Sequence, residues 1–399
     1  MNHNISKLYA ISSKKTRLIL GLMSGTSLDG LDIALCRISG SGMETEVEIL
    51  RFQTVAYEES FKEQIRTVFS KKTVDLEKLT LLNGWVARQH AAMINHCLDD
   101  WNIPHSAIDL IASHGQTIYH APQNLHHQEM FGNATLQIGD GDHLAVSTGL
   151  ITISDFRQKH IAAGGEGAPL AVYGDYYVFG KKGEDRIMLN IGGIANFTFL
   201  PGSLDTTAIF STDTGPGNTM MDAYMQCHLN LPYDKDAAVA RAGTIQDKLL
   251  QELLSNPFFD EDFPKTTGPE LFNLKYLDQC LQHAGLHSLA HTDIMATLNR
   301  FSAVTIVNAL KKTMGNKQAY HLYTSGGGMH NPVLMEQIAA LLPGYRFSTT
   351  DSLQINPDAK EALLFAVLAN ETVAGETVFA GKGTAGIPSV TMGKISFPD

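Results

Sequence analysis

Two stretches of the chain place apolar strands on either side of short, glycine-containing turns. Between Arg17 and Ile38, the segments RLILGLM and LDIALCRI flank the polar turn SGTSLDG, which predicts a β-hairpin with a glycine-rich tip. From Asp185 the pattern restarts, because RIMLNIGGIANFTFLP again reads as strand, turn and strand. Two hairpins of the same kind in one chain predict a duplicated architecture.

Helical patterns fill much of the chain between these hairpins and after them. Apolar spacing predicts helices at 60–69, 76–101, 218–229, 244–254 and 292–314, and a last helix that begins near Pro357. Further strands are expected in VEILRFQTVAY and DLIASH. The short strand HLYTS runs into GGGMHNPVLMEQIAALL, where Pro332 suits the first turn of a helix. The mixture predicts an α/β fold.

The length of the chain predicts two domains. A chain of 399 residues, 44% of them hydrophobic, can bury more than one core. We place the boundary from the repeat: a first domain at 1–150, joined by a C-terminal segment at about 380–399, and a second domain at 151–379. The polar leader before Arg17 is expected to be disordered or to extend an edge.

Charge and cysteine usage exclude several classes of partner. The 30 Lys and Arg against 41 Asp and Glu give a net charge of −11, which argues against binding to nucleic acid or to anionic membranes. The N-terminus lacks the apolar core of a secretory signal, and no apolar run is long enough to span a bilayer. The four cysteines lack metal-binding spacing. We therefore expect a cytoplasmic protein with reduced thiols.

The tip of the first hairpin is a candidate phosphate site. Gly25 and Gly30 let backbone amides approach an oxyanion closely, and the hydroxyls of Thr26 and Ser27 can add donors. Asp29 or Asp32 can orient a metal-bound water, since Mg²⁺ prefers few direct carboxylates. The segment is not a Walker A loop, which requires GxxxxGK[ST]. The alternative interpretation is an ordinary hairpin turn.

Two further glycine-rich turns precede helices in the second half of the chain. Free N–H groups at a helix N-terminus attract phosphate, and close backbone packing against a flat purine is another use for glycine. Tight packing of a strand on a helix remains the alternative. The residues concerned are Asp213, Gly215, Gly217 and Asn218 in the first turn, and Gly326, Gly327, Gly328 and Asn331 in the second.

The segment ISDFRQKHIAAGGEGAPL contains the best catalytic candidate. Asp155 lies two residues from Arg157, and a carboxylate beside a cation tends to stay ionised, which suits a general base. A structural Asp–Arg pair is the alternative. Short polar clusters after apolar strands are candidates for binding sugar hydroxyls. The alternative for a histidine in such a cluster is a buried core residue whose hydrogen bonds are made within the protein. These clusters comprise His114, Gln116, Thr117, His120 and Asp140.

Taken in order, the motifs resemble one enzyme family. GLMSGTSLDGLD, ASHGQTIYHAP, QIGDGDHLA, SDFR with AAGGEGAPL, LNIGGIANFT, DTGPGNTMMD and TSGGGMHNP together look like the anhydro-N-acetylmuramic acid kinase family. They extend from about Gly21 to Asn331, and NPDAKEALLFA continues the match. The resemblance implies a two-domain actin-like (ribonuclease H-like) ATPase fold with a nucleotide cleft between the domains, and it implies ATP and Mg²⁺ as cofactors.

The resemblance also assigns roles to residues of this sequence. It implies that 25–32, including Leu28 and Leu31, forms the first phosphate-binding hairpin. Gly192 and Gly193 would belong to the second such hairpin, and 326–328 would lie by the adenosine. Asp155 matches the family's catalytic aspartate, and Glu361 matches a glutamate associated with the sugar site.

The family's reaction opens the 1,6-anhydro ring of its amino sugar with water and phosphorylates the freed oxygen, in the recycling of cell-wall sugars. Two alternatives stay open at this stage: a plain hexose or hexosamine kinase, and an ATP-gated binding protein of the Hsp70 or actin kind, for which no additional domain is visible. The expected partners are the anhydro amino sugar and ATP. A homodimer is expected from general frequencies of assembly.

Overall fold

The computed structural model describes residues 2–286, 288–315, 320–376 and 388–399. The chain forms two compact units. The first unit comprises Met1–Gly180, Asp205–Ala208 and Gln354–Asp399, and the second comprises Lys181–Leu204 and Ile209–Leu353. The first unit thus continues to Gly180, past the predicted boundary at residue 150, and takes in 354–376. Of the predicted C-terminal segment at about 380–399, the part up to residue 387 lies outside the described residues.

The strands in the described part of the chain are β1 (Thr16–Ser24), β2 (Gly30–Ser39), β3 (Glu46–Ala56), β4 (Leu110–Ala121), β5 (Ala134–Ile138), β6 (Thr152–Ser154), β7 (Arg186–Ile191), β8 (Ile194–Leu200), β9 (Phe210–Pro216), β10 (His321–Ser325), β11 (Arg346–Thr349) and β12 (Lys394–Ser396). The α-helices are α1 (His3–Ser12), α2 (Glu59–Arg66), α3 (Leu76–Asp100), α4 (Gln123–His126), α5 (Gly141–Thr148), α6 (Phe156–Ala162), α7 (Ala171–Phe179), α8 (Thr219–Leu229), α9 (Ala238–Arg241), α10 (Asp247–Leu254), α11 (Leu274–His283), α12 (His291–Met314), α13 (Pro332–Leu341) and α14 (Lys360–Ala374).

The sheet of the first unit has the strand order β12-β6-β4-β1-β2-β3, with β5 paired to β4. Strands β1, β2 and β3 are antiparallel neighbours, whereas β4 runs parallel to β1 and β6 runs parallel to β4. Pairing of β6 with β4, through Ile153 and Ala112, is the reason that the chain beyond residue 150 belongs to this unit.

The sheet of the second unit repeats this arrangement. Its order is β11-β10-β7-β8-β9, in which β7, β8 and β9 are antiparallel neighbours and β10 and β11 continue in parallel from β7. Each unit therefore has three antiparallel strands followed by two parallel ones, the ribonuclease H-like order. The repetition confirms the predicted duplicated α/β architecture and the actin-like fold class.

Helix α14 packs on the sheet of the first unit at a position that requires glycine. A Cβ atom on Gly21 of β1 would lie 2.0 Å from the carbonyl oxygen of Ala362, so only glycine allows this approach. The contact places the first turn of α14, which begins with Lys360 and Glu361, beside the end of β1 that leads into the hairpin tip.

The leader does not have the disordered or edge structure expected from its sequence. It forms helix α1, because the side chain of Asn2 accepts hydrogen bonds from the N–H groups of Asn4 (2.9 Å) and Ile5 (3.3 Å) and so caps the first turn. Asn4 is buried and its amide donates to the Asp399 side chain at 2.7 Å. In the described part of the chain, no helix combines the length and apolarity needed to cross a membrane.

Candidate active site

The tip of the first hairpin presents polar groups to solvent over a buried anchor. Ser27 Oγ and the N–H of Gly30 both donate to Asp29 Oδ1, at 2.8 and 3.0 Å, which fixes the turn. The side chains of Leu28 and Leu31, by contrast, are buried in the core of the first unit. These two predicted cofactor-binding residues can therefore offer only backbone groups to a ligand, while Thr26 is exposed.

An acidic cluster surrounds Asp32 at the start of β2. Burial raises the pKa of Asp32 to about 6 against the lowering effect of a 2.5 Å hydrogen bond from Thr54 Oγ1, and the negative charges of Asp29, Glu361 and Asp358 raise it further. Glu361 is partly accessible to solvent. Many protein atoms nevertheless surround its carboxyl group, and the resulting desolvation raises its pKa. Such repulsion makes the cluster receptive to a cation.

Gln116 lies underneath the hairpin tip. Its side chain is fully buried, with Oε1 accepting from Ser24 Oγ at 2.5 Å and Nε2 donating to the carbonyl oxygen of Gly25 at 3.3 Å. Both ends of its amide are bonded to the protein, and the sugar contact predicted for Gln116 stays a prediction.

The first unit contains a pocket of about 230 Å³ at the end of β6, beside residues 113–115 of the neighbouring strand β4. It brings together three of the predicted site residues, Asp155, His114 and Asp140. Its other lining residues are Asn83, Ser113, Gly115, Gln137, Ile138, Gly139, Gly141, Asp142, Ser154, Lys394 and Ser396.

Asp155 stands at the turn from β6 into α6. Its backbone is left-handed, with φ 55° and ψ 46°, a conformation that Asp tolerates better than most residues. The side chain makes no capping bond to α6 and instead forms an ion pair with Lys394 of β12, which pairs with β6. The sequence predicted Arg157 as the cation beside Asp155. In the structure this cation is Lys394.

Arg157 is engaged with His114 in the interior. Its Nε–H donates to His114 Nε2 at 2.9 Å, and Nη1 donates to the carbonyl of Gly167 at 2.7 Å. Burial, together with the Arg157 charge, holds the pKa of His114 well below its usual value, so the ring is neutral. Because Nε2 accepts, Nδ1 carries the proton.

Three buried polar atoms of residues that line the pocket have no hydrogen-bond partner among the described residues: Ser113 Oγ, His114 Nδ1 and Gln137 Oε1. The side chains of Ser113 and His114 are 1% and 3% exposed, and neither atom has a partner at good hydrogen-bonding geometry, although, against the lowering effect of burial, the nearby backbone of Gly115 and Ser24 raises the pKa of the His114 ring. Buried polar groups are almost always paired in folded proteins. A polar ligand in this pocket would supply the missing partners.

The other residues predicted to contact the sugar form structural bonds within the protein or lie outside the pocket lining. Asp140 caps α5 by accepting from the N–H groups of Asp142 and His143, and although burial raises its pKa, the bonds from His143 and Asp142 lower it overall. Thr117 is bonded to Gln137 Nε2 at 3.3 Å. His120 is exposed on β4, and Arg157 and Glu361 also lie outside the pocket lining. Asp140 is thus partly structural.

In the second unit, the turn that contains Gly192 and Gly193 packs on the turn that contains Gly215 and Gly217. The N–H of Gly217 donates to the carbonyl of Gly193 at 2.8 Å, and that of Asn218 donates to the carbonyl of Gly192 at 2.9 Å. A Cβ atom on Gly217 would lie 2.3 Å from the Gly192 oxygen. Gly215 has φ 137°, in the region that favours glycine. Glycine is required here for packing, and Asn218 is the residue that precedes the first turn of α8.

A second pocket, of about 500 Å³, lies in the second unit at the starts of α8 and α13. It includes three predicted residues, Asn218, Gly327 and Asn331. Gly326 and Gly328 instead pack on β7, where added Cβ atoms would lie 2.4 Å from Asn190 Oδ1 and 2.2 Å from Ile191 Cγ2. The other lining residues are Met221, Asp222, Pro232, Tyr233, Asp234, Lys235, Asp236 and His330.

Asp213 lies on β9 next to this turn and is largely enclosed. Burial raises its pKa to about 7, against the lowering effect of a hydrogen bond from the N–H of Thr267 at 2.8 Å, and the charge of Glu270 adds to the rise. A carboxyl group with this pKa holds a proton in part at neutral pH.

Replacing Asp213 by Asn should stabilise the protein more at pH 8 than at pH 5. Between the unfolded pKa of 3.8 and the folded value of about 7, the native state keeps a proton that the unfolded chain has released, so stability is lost as pH rises through this window. Asn has no charge to desolvate and keeps an acceptor for Thr267. Unfolding midpoints at both pH values test this; Asp262→Asn, at a fully exposed carboxylate, is the control, and a pH-independent difference would contradict the expectation.

Several site residues were missed by the sequence analysis. Lys394 lies in a short C-terminal strand with no recognisable motif, and its neighbour Asp155 is distant in sequence. Asp222, whose pKa burial raises to about 6, ends the motif DTGPGNTMMD, and its place in that motif was the available signal. In the described residues, no group of three or more His, Cys, Asp or Glu is arranged to hold a metal ion.

Comparisons with known proteins cover nearly the whole chain. The sequence model of the family described as anhydro-N-acetylmuramic acid kinase matches residues 17–398. Proteins of that name from Pseudoalteromonas atlantica and Caldanaerobacter subterraneus are 58% and 37% identical, over 100% and 98% of this chain and 100% of each relative. Among solved structures, the activator of 2-hydroxyisocaproyl-CoA dehydratase from Clostridium difficile with bound ADPNP is similar at 11% identity, covering 89% of this chain and 95% of that one, with a TM-score of 0.42.

Proposed function

Because the chain belongs to the anhydro-N-acetylmuramic acid kinase family, we propose that it is an ATP-dependent kinase of 1,6-anhydro-N-acetylmuramic acid in the recycling of cell-wall sugars. The product would be N-acetylmuramic acid 6-phosphate. The observation that carries the sugar site is the pocket of the first unit, where Asp155 lies beside the unpaired polar atoms of Ser113 and His114.

The proposed reaction joins hydrolysis to phosphoryl transfer. Water adds to the anomeric carbon and loses a proton to Asp155, while the bond from that carbon to O6, the oxygen of the 1,6-anhydro bridge, breaks. The freed O6 attacks the γ-phosphorus of ATP, and ADP leaves. Asp155 acts as general base, since its carboxylate faces the pocket and makes no bond to α6. His114 Nδ1–H and the Ser113 hydroxyl would orient sugar oxygens.

Each unit contains a glycine-rich turn that is suited to binding phosphate. In the first unit, the hairpin tip offers backbone N–H groups and the exposed hydroxyls of Thr26 and Ser27. In the second unit, the start of α8 lies against the turn at Gly192 and Gly193. The pocket lined by Gly327 has room for adenosine, and the backbone of Gly327 offers a surface against which a purine can pack.

Magnesium is the metal ion that we propose for this chemistry. Mg²⁺ is usually held by one or two carboxylates together with phosphates and water, so the lack of a three-residue metal cluster among the described residues fits it. Asp32 suits this role best, because burial raises the pKa of its carboxyl group and the charges of Asp29 and Glu361 add to the rise, so a nearby cation would stabilise the carboxylate. When bound, the ion supplies positive charge to the transferred phosphoryl group.

Turnover of the anhydrosugar with ATP and Mg²⁺, beside glucose and N-acetylglucosamine, tests the proposal. We expect a product heavier than the anhydrosugar by one phosphoryl group and one water, with ¹⁸O from labelled water incorporated into the sugar. A phosphorylated product without the label would indicate a plain hexose kinase. ATP hydrolysis that ignores every sugar but responds to a polypeptide would favour a binding protein. A cytoplasmic location, where ATP is available, is part of the proposal; the homodimer stays a prediction.

A further inference from the structure

Four buried polar side chains form a chain of hydrogen bonds under the tip of the first hairpin. Tyr57 Oη lies 2.9 Å from His90 Nε2 and 2.6 Å from Ser24 Oγ, and Ser24 Oγ lies 2.5 Å from Gln116 Oε1. None of the four is more than 3% exposed. This series of hydrogen bonds ends at the backbone, where Gln116 Nε2 donates to the carbonyl oxygen of Gly25 at 3.3 Å.

The carbonyl partners decide which way the amide of Gln116 faces. Its Nε2 contacts the carbonyl oxygens of Gly25 and Thr117, both at 3.3 Å, and carbonyls only accept hydrogen bonds. The amide nitrogen must therefore face these two oxygens, which turns Oε1 towards Ser24. Because Oε1 only accepts, the hydroxyl of Ser24 is committed as its donor.

Because the Ser24 hydroxyl donates to Gln116, the donors of the other two hydrogen bonds are also determined. Ser24 has one hydroxyl proton, so the proton between Ser24 Oγ and Tyr57 Oη must come from Tyr57. Tyr57 then has no proton left for His90, and the proton between them must be carried by His90 Nε2. Burial lowers the pKa of His90 to about 4, which agrees with a neutral ring. All bonds thus run in one direction, from His90 to the Gly25 carbonyl.

The end of this chain controls a peptide group of the phosphate-binding tip. The peptide between Gly25 and Thr26 is planar and trans, so its C=O and N–H point in opposite directions. Gln116 holds the Gly25 oxygen on the buried side, and the N–H of Thr26 is therefore directed away from the core, where Thr26 is exposed. A flip of this peptide would cost the bond to Gln116.

We propose that His90, Tyr57, Ser24 and Gln116 act as one positioning relay that aims the Thr26 N–H at a phosphate group of ATP. The inference rests on the proposed function for the identity of the phosphate. None of the four residues touches the nucleotide; they act through the peptide of Gly25.

The relay is tested by ATP binding to variants that break it at different points. Tyr57→Phe removes the central hydroxyl but keeps the ring, which stacks on Phe61 at 4.0 Å between centroids. We expect Kd for ATP to rise about tenfold, the scale of one lost hydrogen bond, and KM for the sugar to stay within about twofold. Tyr119→Phe, in a half-buried ring packed on the same core, is the matched control and should leave both constants unchanged.

Two further measurements separate positioning from general stability. His90→Gln keeps an N–H donor for Tyr57 and should retain ATP affinity, whereas His90→Leu should match Tyr57→Phe. In ¹⁵N-histidine-labelled protein, the His90 signal, assigned by its loss in His90→Gln, should show a neutral ring protonated at Nε2. An Nδ1-protonated ring, or unchanged ATP affinity in folded Tyr57→Phe, would overturn the relay.

Failure of the proposed function has a different signature. An unaltered protein that binds no ATP would refute both ideas, because the relay would then have no phosphate to face. An unaltered protein that binds ATP but does not turn over the anhydrosugar would refute the substrate and leave the relay to be decided by the Kd values of the Tyr57 and His90 variants.

Discussion

Replacing Asp155 by Asn should lower kcat for sugar phosphorylation by about 10² to 10⁴, the usual contribution of a general base. Asn keeps the size of the side chain but cannot take a proton from water. It also loses the ion pair with Lys394, which is an exposed contact and is expected to contribute little to folding. Steady-state rates with ATP and anhydrosugar, together with the unfolding midpoint, measure the two effects separately.

Two controls make this result specific to the proton acceptor. Asp262→Asn changes an exposed carboxylate of the second unit and should leave kcat unaltered. Lys394→Met removes the partner of Asp155 while keeping the carboxylate, so it should lose far less activity than Asp155→Asn. A folded Asp155→Asn variant with full turnover would refute the general-base role.

Replacing Gly217 by Ala should lower kcat/KM for ATP by about 10²-fold, because a displacement of the phosphate-binding turns by about 1 Å is enough to misplace the reacting groups. The added methyl group would lie 2.3 Å from the carbonyl oxygen of Gly192, and neither backbone can yield without breaking the bond from Gly217 N–H to Gly193. Overpacking of this kind is expected to cost about 1–3 kcal/mol of stability.

The matched control for this substitution is Gly132→Ala. A Cβ atom at Gly132 would have no atom within 4 Å, and its φ is not in the left-handed region. It should leave stability and ATP kinetics unchanged. Wild-type kcat/KM for ATP in Gly217→Ala would show that the contact between the two turns has no part in binding the nucleotide.

Elements with strong local signals were predicted well. The predicted helices at 76–101 and 292–314 correspond to α3 (Leu76–Asp100) and α12 (His291–Met314), because long apolar periodicity is a local property of the chain. The two hairpins were found for the same reason, since each has its turn residues between its own strands. Helix α1 was missed: its capping residue Asn2 was available as a signal, but the polar leader around it was interpreted as disorder.

The domain boundary and the roles of single side chains could not be obtained in this way. Strand β6 is only three residues long, and its membership of the first sheet depends on pairing with β4, far away in sequence. Arg157 was expected beside Asp155, but the first turn of α6 directs it to His114 instead, and Lys394 takes its place. The burial of Gln116 under the hairpin likewise could not be predicted from the sequence.

The sequence by itself determined the α/β class, the duplicated hairpins, the family to which the motifs belong and the choice of Asp155 as the candidate base. These depend on residue type, order and short-range spacing, which the chain displays directly. The tertiary structure alone decided which polar groups meet: Lys394 with Asp155, and His90 with Tyr57, Ser24 and Gln116. Such pairs join residues from distant strands and helices, and only the packing of those elements into one unit brings their side chains within bonding distance.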